Sequence, residues 1–103
     1  MRVIIEDGYL KALFNGNFTG KPQFNREVEL GFIRRITQME NAVNTSDLRA
    51  IGSLHFEKLS GKFDGKYSIR VNKAFRIIFR VEKDGNNVRL EVICVEELSN
   101  HYS

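Results

Sequence analysis

The sequence predicts a single α+β domain, residues 1–103, in which N-terminal helices pack on one face of a small antiparallel sheet that is mixed at its first strand. Three observations support this fold class. The segment 25–43 has helical periodicity, apolar residues alternate from about His55 onward, and the length suffices for one modest core. No repeat, low-complexity tract or linker divides the chain.

The composition excludes several classes of protein. Apolar residues make up 42% of the chain and charged residues 28%, which is typical of a folded domain and not of a disordered one. The longest apolar runs, such as 77–79, are too short to span a bilayer, and the N-terminus lacks the apolar segment of a secretory signal. We therefore expect a cytoplasmic protein that makes no membrane contact. A single cysteine, Cys94, excludes internal disulfides and paired-cysteine metal sites.

The first half of the chain is predicted to hold a strand and two main helices. Residues 2–6 form the strand, and Asp7 then caps a short helix that Gly16 ends. Asn25 is the expected N-cap of the longest helix, and a further short turn would be capped by Thr45 or Ser46. The long helix repeats apolar residues at steps of four and three, which predicts one buried stripe: Val28, Phe32, Ile36, Met39 and Val43.

Alternation also predicts the register of the last strands. A three-residue loop at 72–74 pairs Ile69 with Ile77, whereas a two-residue loop would place apolar residues opposite polar ones. The pair Asp84-Gly85 predicts a two-residue turn that sets Phe79 opposite Leu90. The apolar face then comprises Tyr67, Ile69, Val71, Phe75, Ile77, Phe79, Val81, Val88, Leu90, Val92 and Cys94, with Cys94 as a core thiol.

The opposite face of this predicted sheet carries facing arginines. Arg70 lies across from Arg76, and Arg80 lies across from Arg89. Because like charges directly opposite destabilise a sheet, a counter-ion is expected. A phosphate is one candidate, since guanidinium groups bind it in a bidentate manner. The alternative is neutralisation by the nearby acids Glu57, Glu91 and Glu96.

The charge distribution favours an anionic partner. Residues 58–80 contain seven basic residues and one acid, a charge of +6, which leaves −3 for the remainder of a chain whose net charge is +3. Such a concentration of positive charge indicates nucleic acid first, with a solvated strand face as the alternative.

The string LHFEKLSGKFDGKYSIRVNKAFRIIFRVEKDG, residues 54–85, resembles the HigB-type killer proteins of the RelE/ParE superfamily of bacterial toxins. The shorter stretches YLKALFNG and SDLRAIGSL resemble the same family, so the similarity covers nearly the whole chain. The resemblance implies a toxin with helices on one face of the sheet and RNA on the other. Its activity would be ribosome-dependent endoribonuclease cleavage of messenger RNA, without metal or cofactor. A cognate antitoxin, usually with a helix-turn-helix DNA-binding domain, would hold it inactive.

The resemblance also implies site residues. Arg76 matches the family's arginine beside the scissile phosphate, and Arg70 matches an arginine of many relatives; both would stabilise negative charge. Residues 94–96 replace the Asp-Tyr-His that usually ends the last strand, which leaves the general acid and base open. The tail resembles RelE-type endings, so Tyr102 and His101 are the expected catalytic partners, with base stacking as a second role for Tyr102 and a frayed terminus as the alternative.

Further basic residues would hold the RNA backbone. They are Lys58, Lys62, Lys66 and Arg80. His55 lies two residues before a position where some relatives have histidine, but alternation does not decide which way it faces. A surface or core-edge histidine is the simpler interpretation.

Two other functions remain open on the sequence. ParE-type relatives share the fold and poison DNA gyrase instead of cutting RNA. A catalytically degenerate member would only bind RNA or an antitoxin, since the usual strand-end histidine is absent.

Overall fold

The computed structural model describes residues 1–85 and 87–100, apart from the side chains of residues 87–89. A five-stranded sheet has the strand order β1-β5-β4-β3-β2; β1 is parallel to β5, and the other neighbours are antiparallel. This confirms the predicted α+β class with a sheet mixed at its first strand. The elements are β1 (Arg2–Ile5), α1 (Gly8–Asn15), α2 (Arg26–Asn41), α3 (Thr45–Ala50), β2 (Glu57–Lys58), β3 (Tyr67–Arg70), β4 (Arg76–Asp84) and β5 (Asn87–Ser99), with short 3₁₀ turns at Gly52–Leu54 and Gly61–Phe63.

The predicted starts of the first two helices and the predicted end of the first one are confirmed. The Asp7 side chain accepts a hydrogen bond from the Leu10 amide at the start of α1, and Asn25 does the same for Val28 at the start of α2. Gly16 ends α1 in the left-handed conformation, with φ of 74°, which a residue without Cβ adopts readily.

Two details of the helices differ from prediction. α2 ends at Asn41 and the chain turns extended at Ala42, so Val43 leaves the stripe and is 77% exposed. The other four stripe residues are buried. The cap of α3 is Asn44, whose side chain accepts from the Asp47 amide. That cap lies one residue before the predicted candidates.

The register of the β3–β4 hairpin is confirmed. Ile69 pairs with Ile77 and Arg70 with Arg76, and the Val71 amide donates to the Phe75 carbonyl across the three-residue loop. The alternation of apolar and polar residues is therefore enough to predict a register where the loop is short and only one loop length pairs apolar residues with each other.

The predicted register of β5 is wrong. Phe79 pairs with Val95 instead of Leu90, and Val81 pairs with Ile93, so partner numbers move from 90 to 95, a shift of five. An odd shift exchanges the two faces of a strand. The β5 side chains in the main core are Ile93, Val95 and Leu98, whereas Leu90 is half exposed and Val92 and Cys94 are buried outside that cluster.

The cause of the shift lies at the turn. Asp84, predicted to be a turn residue, pairs instead with Asn87, and the next pair is Lys83 with Glu91. One step along β4 therefore corresponds to four along β5, which is a large bulge. The sequence could not reveal it, because the run VICV is apolar at every position and fits either face.

The helices cover one face of the sheet and leave the other for the arginines. Buried α2 side chains pack against core residues of β3, β4 and β5, including Ile69, Phe79 and Val95. At Gly31 any added Cβ would lie 2.7 Å from Cγ1 of Val71, so a glycine lets α2 approach the end of β3 closely. Among the described residues, no helix is long and apolar enough to cross a membrane.

Candidate active site

Arg70 and Arg76 face each other on the sheet surface opposite the helices. Arg76 is only 9% exposed. Its Nη1 donates to Ser68 Oγ at 3.0 Å and to the His55 carbonyl oxygen at 3.2 Å, and it lies 3.6 Å from Glu57 Oε2. Because its partners come from β2, β3 and the segment before β2, this guanidinium is held in one place before any ligand arrives.

His55 contacts both arginines. It follows the 3₁₀ turn Gly52–Leu54 with φ of 46°, the only non-glycine residue with positive φ in the described part of the chain. Its carbonyl oxygen accepts from Arg76, and its ring Nε2 lies 3.2 Å from Arg70 Nη1. The sequence left the direction of His55 open; the structure turns it toward the arginine pair.

The backbone of Arg70 is held from the helix layer. Arg35 on α2 donates from Nε to the Arg70 carbonyl oxygen at 2.9 Å and from Nη1 to Gln38 at 2.8 Å. Burial, with a smaller contribution from the Arg34 charge, lowers the pKa of Arg35 from its ordinary value. The end of β3 is thereby fixed, while the Arg70 side chain stays partly exposed on the other face.

Arg80, the third arginine of this face, is surrounded by acids. It binds Glu6 in a bidentate manner at 2.6 and 2.7 Å, Glu82 at 2.8 Å and Glu96 at 3.1 Å. Lys66 joins through a 2.5 Å ion pair with Glu96. We call these five residues the Arg80 network. Its hydrogen bonds raise the pKa of Arg80.

The predicted pairing of Arg80 with Arg89 is wrong. The register partner of Arg80 is Cys94, because of the shift in β5. Cys94 is buried as predicted, but on the face of the sheet that carries Arg80 and not in the main core. Burial raises the pKa of its thiol. Carboxylates of the protein itself therefore neutralise the charge of Arg80. Neutralisation by nearby acids was the predicted alternative to a phosphate ligand.

The Arg80 network makes stability depend on acid pH. Burial opposes ionisation of Glu96, but hydrogen bonds from Lys66 and Arg80 outweigh it and lower the pKa of Glu96; hydrogen bonding to Arg80 also lowers the pKa of Glu6. A carboxyl group with a lowered pKa stabilises the fold above its unfolded value of about 4.3, and this contribution is lost as the pH falls through the folded value.

Replacing Glu96 by glutamine should remove part of that dependence. We expect the free energy of unfolding to fall by on the order of 1 kcal/mol at pH 7, with the difference from wild type shrinking below about pH 4. Urea unfolding at both pH values measures it. Glu97→Gln, at an exposed neighbouring position, is the matched control. An equal loss at both pH values would show that the charge of Glu96 is not responsible.

The predicted RNA-binding lysines have different surroundings. Lys58 on β2 is exposed, and the exposed Lys62 places Nζ 5.2 Å from the centroid of the Phe63 ring. Lys66 is engaged with Glu96. Lys58 and Lys62 are thus open to a ligand, while Lys66 and Arg80 would have to exchange carboxylates for phosphates.

The remaining predicted catalytic residues, His101 and Tyr102, lie outside the described residues. The last strand nevertheless ends at the site, since Ser99 is the register partner of Arg76. Sequence reasoning weighed Glu57 only as a counter-ion and did not consider Ser68. These two residues are register partners on β2 and β3, and only the placement of the two-residue strand β2 could have identified them. Among the described residues, no group of three or more histidine, cysteine, aspartate and glutamate side chains could hold a metal ion.

Residues 4–93 match the family model described as HigB-like toxin, the RelE-like toxin of type II toxin–antitoxin system HigB. The chain belongs to this family. It is 40% identical to Toxin HigB-1 of Vibrio cholerae serotype O1 over 53 residues, which are 52% of this chain and 56% of that relative. The chain thus spans about half the length of the curated relative it matches. The resemblance to HigB-type killer proteins is confirmed.

Solved structures support the same fold for this HigB-like chain. The YoeB/ParE toxin from Agrobacterium tumefaciens aligns with a TM-score of 0.55 and 14% identity, covering 99% of this chain and all of that one. The YoeB dimer from Staphylococcus aureus aligns with a TM-score of 0.53 and 17% identity, and the heterotetrameric YoeB-YefM toxin–antitoxin complex of that organism with 0.51 and 17%; each alignment covers 99% of this chain and 98% of the other. At this identity the likeness shows the fold.

Proposed function

We propose that this HigB-like protein is a ribosome-dependent endoribonuclease that cleaves messenger RNA without a metal ion and so arrests translation. The observation that carries the proposal is the Arg70–Arg76 pair, with the Arg76 guanidinium fixed beside the Glu57 carboxylate. Fixed guanidinium donors suit the transition state of phosphodiester cleavage, in which negative charge grows on the phosphate oxygens. Membership of the HigB-like toxin family supports this choice over other anion-binding functions.

The reaction requires proton transfer at two oxygens. A base removes the proton of the 2′-hydroxyl, the 2′-oxygen bonds to phosphorus, and the bond from phosphorus to the 5′-oxygen breaks as an acid protonates that oxygen. The products are a 2′,3′-cyclic phosphate and a 5′-hydroxyl. Arg70 and Arg76 would bind the non-bridging oxygens, and the pentavalent transition state would be stabilised by their charge.

Glu57 is the residue that we propose as the general base. Its carboxylate lies 3.6 Å from Arg76 Nη1, so a phosphate bound to that arginine would bring its ribose near the carboxylate. Its side chain is 49% exposed, which leaves it accessible to RNA. In this arrangement the carboxylate would accept the 2′-hydroxyl proton, and the guanidinium would offset the negative charge that develops on the phosphate.

His101 is the proposed general acid, with Tyr102 as its partner or as a stacking platform for an unpaired base. Ser99 is the register partner of Arg76, and His101 is two residues further along the chain. Two residues of chain extend over at most about 7 Å. Backbone connectivity is therefore compatible with a histidine at the leaving oxygen.

The RNA strand would run along the basic residues beside the arginine pair. We assign backbone contacts to Lys58 and Lys62 first, since both are exposed, and to Lys66 and Arg80 only if RNA displaces their carboxylates. Phosphate contacts of this kind orient RNA without reading its sequence. The ribosome would supply the positioned messenger RNA.

A cognate antitoxin with a helix-turn-helix domain is the proposed regulatory partner. Staphylococcus aureus YoeB, which shares the fold, forms a complex with YefM that is described as toxin–antitoxin. Together with the type II family assignment, this supports an antitoxin encoded beside the present chain.

Expression of the chain with and without the neighbouring gene tests the function. We expect growth arrest by the chain alone, relief by the neighbour, and new 5′-hydroxyl ends at ribosome-bound codons. Gyrase–DNA breaks without RNA cuts would instead indicate a ParE-type poison. Absence of arrest, RNA cuts and DNA breaks would indicate a degenerate binding protein.

Replacing His101 by alanine should lower the single-turnover cleavage rate by about 10²–10⁴-fold, because the leaving oxygen loses its acid. Asn100→Ala, at the adjacent exposed residue, is the matched control and should cleave at the wild-type rate. A His101→Ala protein with full activity would remove the tail from the mechanism while leaving the arginine pair in place.

A further inference from the structure

We infer that His55 is a positioning residue that holds both arginines of the site, Arg76 through its backbone carbonyl and Arg70 through the ring of its neutral, Nδ1-protonated form. The inference rests on the proposed function, because it concerns how the phosphate-binding groups are prepared. It adds a residue whose simplest interpretation from the sequence was a surface or core-edge histidine, and it specifies which ring nitrogen of that residue carries the proton.

The tautomer of His55 follows from the fact that its partner, a guanidinium, can only donate hydrogen bonds. A guanidinium has only N–H donors and no acceptor, so at 3.2 Å from Arg70 Nη1 the His55 Nε2 atom has to be the acceptor. The proton of the neutral ring then lies on Nδ1. A doubly protonated ring would place a donor against a donor and a cation against a cation.

The backbone of His55 contributes independently. Positive φ costs a residue with a Cβ about 1–2 kcal/mol, a cost that glycine avoids and asparagine tolerates better. If only the carbonyl contact with Arg76 were needed, glycine would serve better at this position. In the present conformation the same residue provides both the carbonyl for Arg76 and the ring acceptor for Arg70.

The charged groups that the described residues place around His55 come from several elements. Arg70 on β3 and Arg76 on β4 contact it directly, and Glu57 on β2 lies beyond, at Arg76. Arg49 on α3 lies 4.6 Å from the ring centroid of Phe56, the next residue in the chain. Arg70 contacts the ring itself, and a ring nitrogen that accepts a hydrogen bond from a guanidinium carries no proton.

The consequence for RNA binding is preorganisation. Without the ring, the long Arg70 side chain would sample several rotamers, and ordering it would cost free energy when RNA binds. With the ring in place, Arg70 is already positioned beside Arg76. When RNA binds, a phosphate oxygen replaces the neutral ring nitrogen as its hydrogen-bond partner. A neutral partner is released more easily than a carboxylate such as those that bind Arg80.

The contact between the His55 ring and Arg70 can be tested without any RNA. In ¹⁵N-labelled protein above pH 7, we expect the imidazole nitrogen shifts of His55 to report Nδ1–H and an unprotonated, hydrogen-bonded Nε2. Arg70→Met removes the donor, so the Nε2–H tautomer should become populated; Lys73→Met, at an exposed position in the same hairpin, should leave the shifts unchanged. An Nε2–H ring in the wild-type protein would overturn the inference, whatever the protein does to RNA.

The functional effect is tested with two substitutions of His55 that tolerate positive φ. His55→Gly retains the carbonyl but not the ring, and we expect kcat/KM for RNA cleavage to fall about tenfold. His55→Asn supplies an amide oxygen to Arg70 and should recover most of that loss.

The outcomes separate this inference from the proposed function. Wild-type protein that cleaves no RNA, with the expected tautomer and its loss in Arg70→Met, would reject the ribonuclease and retain the His55–Arg70 contact. Cleavage at the wild-type rate by His55→Gly would reject the positioning role and retain the ribonuclease. Equal loss in His55→Gly and His55→Asn, with both proteins folded, would also reject it in favour of a ring that transfers protons.

Discussion

Replacement of Arg76 by alanine is expected to lower the rate of RNA cleavage by about 10²–10³-fold and to abolish growth arrest. Arg76 is 9% exposed and its guanidinium is already held by Ser68 and the His55 carbonyl, so its donors need no reorganisation when charge develops on the phosphate. Arg76→Lys retains the positive charge but not the planar guanidinium that donates two hydrogen bonds to one phosphate, so it should lose activity to an intermediate extent. Single-turnover cleavage of a ribosome-bound message measures all three proteins.

The stability of the variant has to be measured with its activity. Removing Arg76 deprives the buried Ser68 hydroxyl of a hydrogen-bond donor, which costs about 1–3 kcal/mol. Arg34→Ala is the matched control, since it removes the same side chain from an exposed position on the helix layer and should change neither property. A folded Arg76→Ala protein that cleaves at the wild-type rate would refute the proposed site.

Replacement of Glu57 by glutamine is the second large effect that we expect, a loss of about 10²–10⁴-fold in the cleavage step. The amide has nearly the same shape as the carboxylate but cannot take the 2′-hydroxyl proton. Stability should hardly change, because the side chain is 49% exposed and its ion pair with Arg76 is 3.6 Å long.

A measurement of RNA binding distinguishes a loss of the general base in Glu57→Gln from a loss of structure at the site. Glu57→Gln removes a negative charge next to the phosphate site, so the affinity for RNA should stay equal or increase while cleavage fails. The matched control is Glu82→Gln, the same substitution at an exposed glutamate of the Arg80 network, which should cleave normally. Cleavage by Glu57→Gln at the wild-type rate would assign the base to another group and leave the arginine pair intact.

The charge count in the sequence overstated the free positive charge of the sheet. Residues 58–80 carry +6 when counted alone, yet Glu6 from β1 and Glu96 from β5 lie against Arg80 in the fold. A count along the chain cannot include acids that arrive from 16 and 74 residues away. Of the two arginine pairs predicted on that face, alternation placed Arg70 with Arg76 correctly, whereas Arg80 pairs with Cys94 instead of Arg89.

The candidate site was predictable to the extent that it depends on that hairpin. Arg70 and Arg76 face each other because a three-residue loop and the apolar pattern allow one register. His55 was not predictable in the same way, since a residue with positive φ interrupts the alternation from which a side-chain direction is inferred. Glu57 lies on a strand of two residues, too short for any periodicity to be recognised.

The sequence by itself determined the features that depend on neighbours a few residues apart. These are the caps at Asp7 and Asn25, the buried stripe of α2 and the β3–β4 register. The tertiary structure alone decided the register of β5, the acids at Arg80 and the contact of His55 with Arg70. The physical reason is the range of the interactions: caps and short hairpins satisfy their hydrogen bonds locally, whereas a long strand with apolar residues on both faces takes its register from the packing of distant segments.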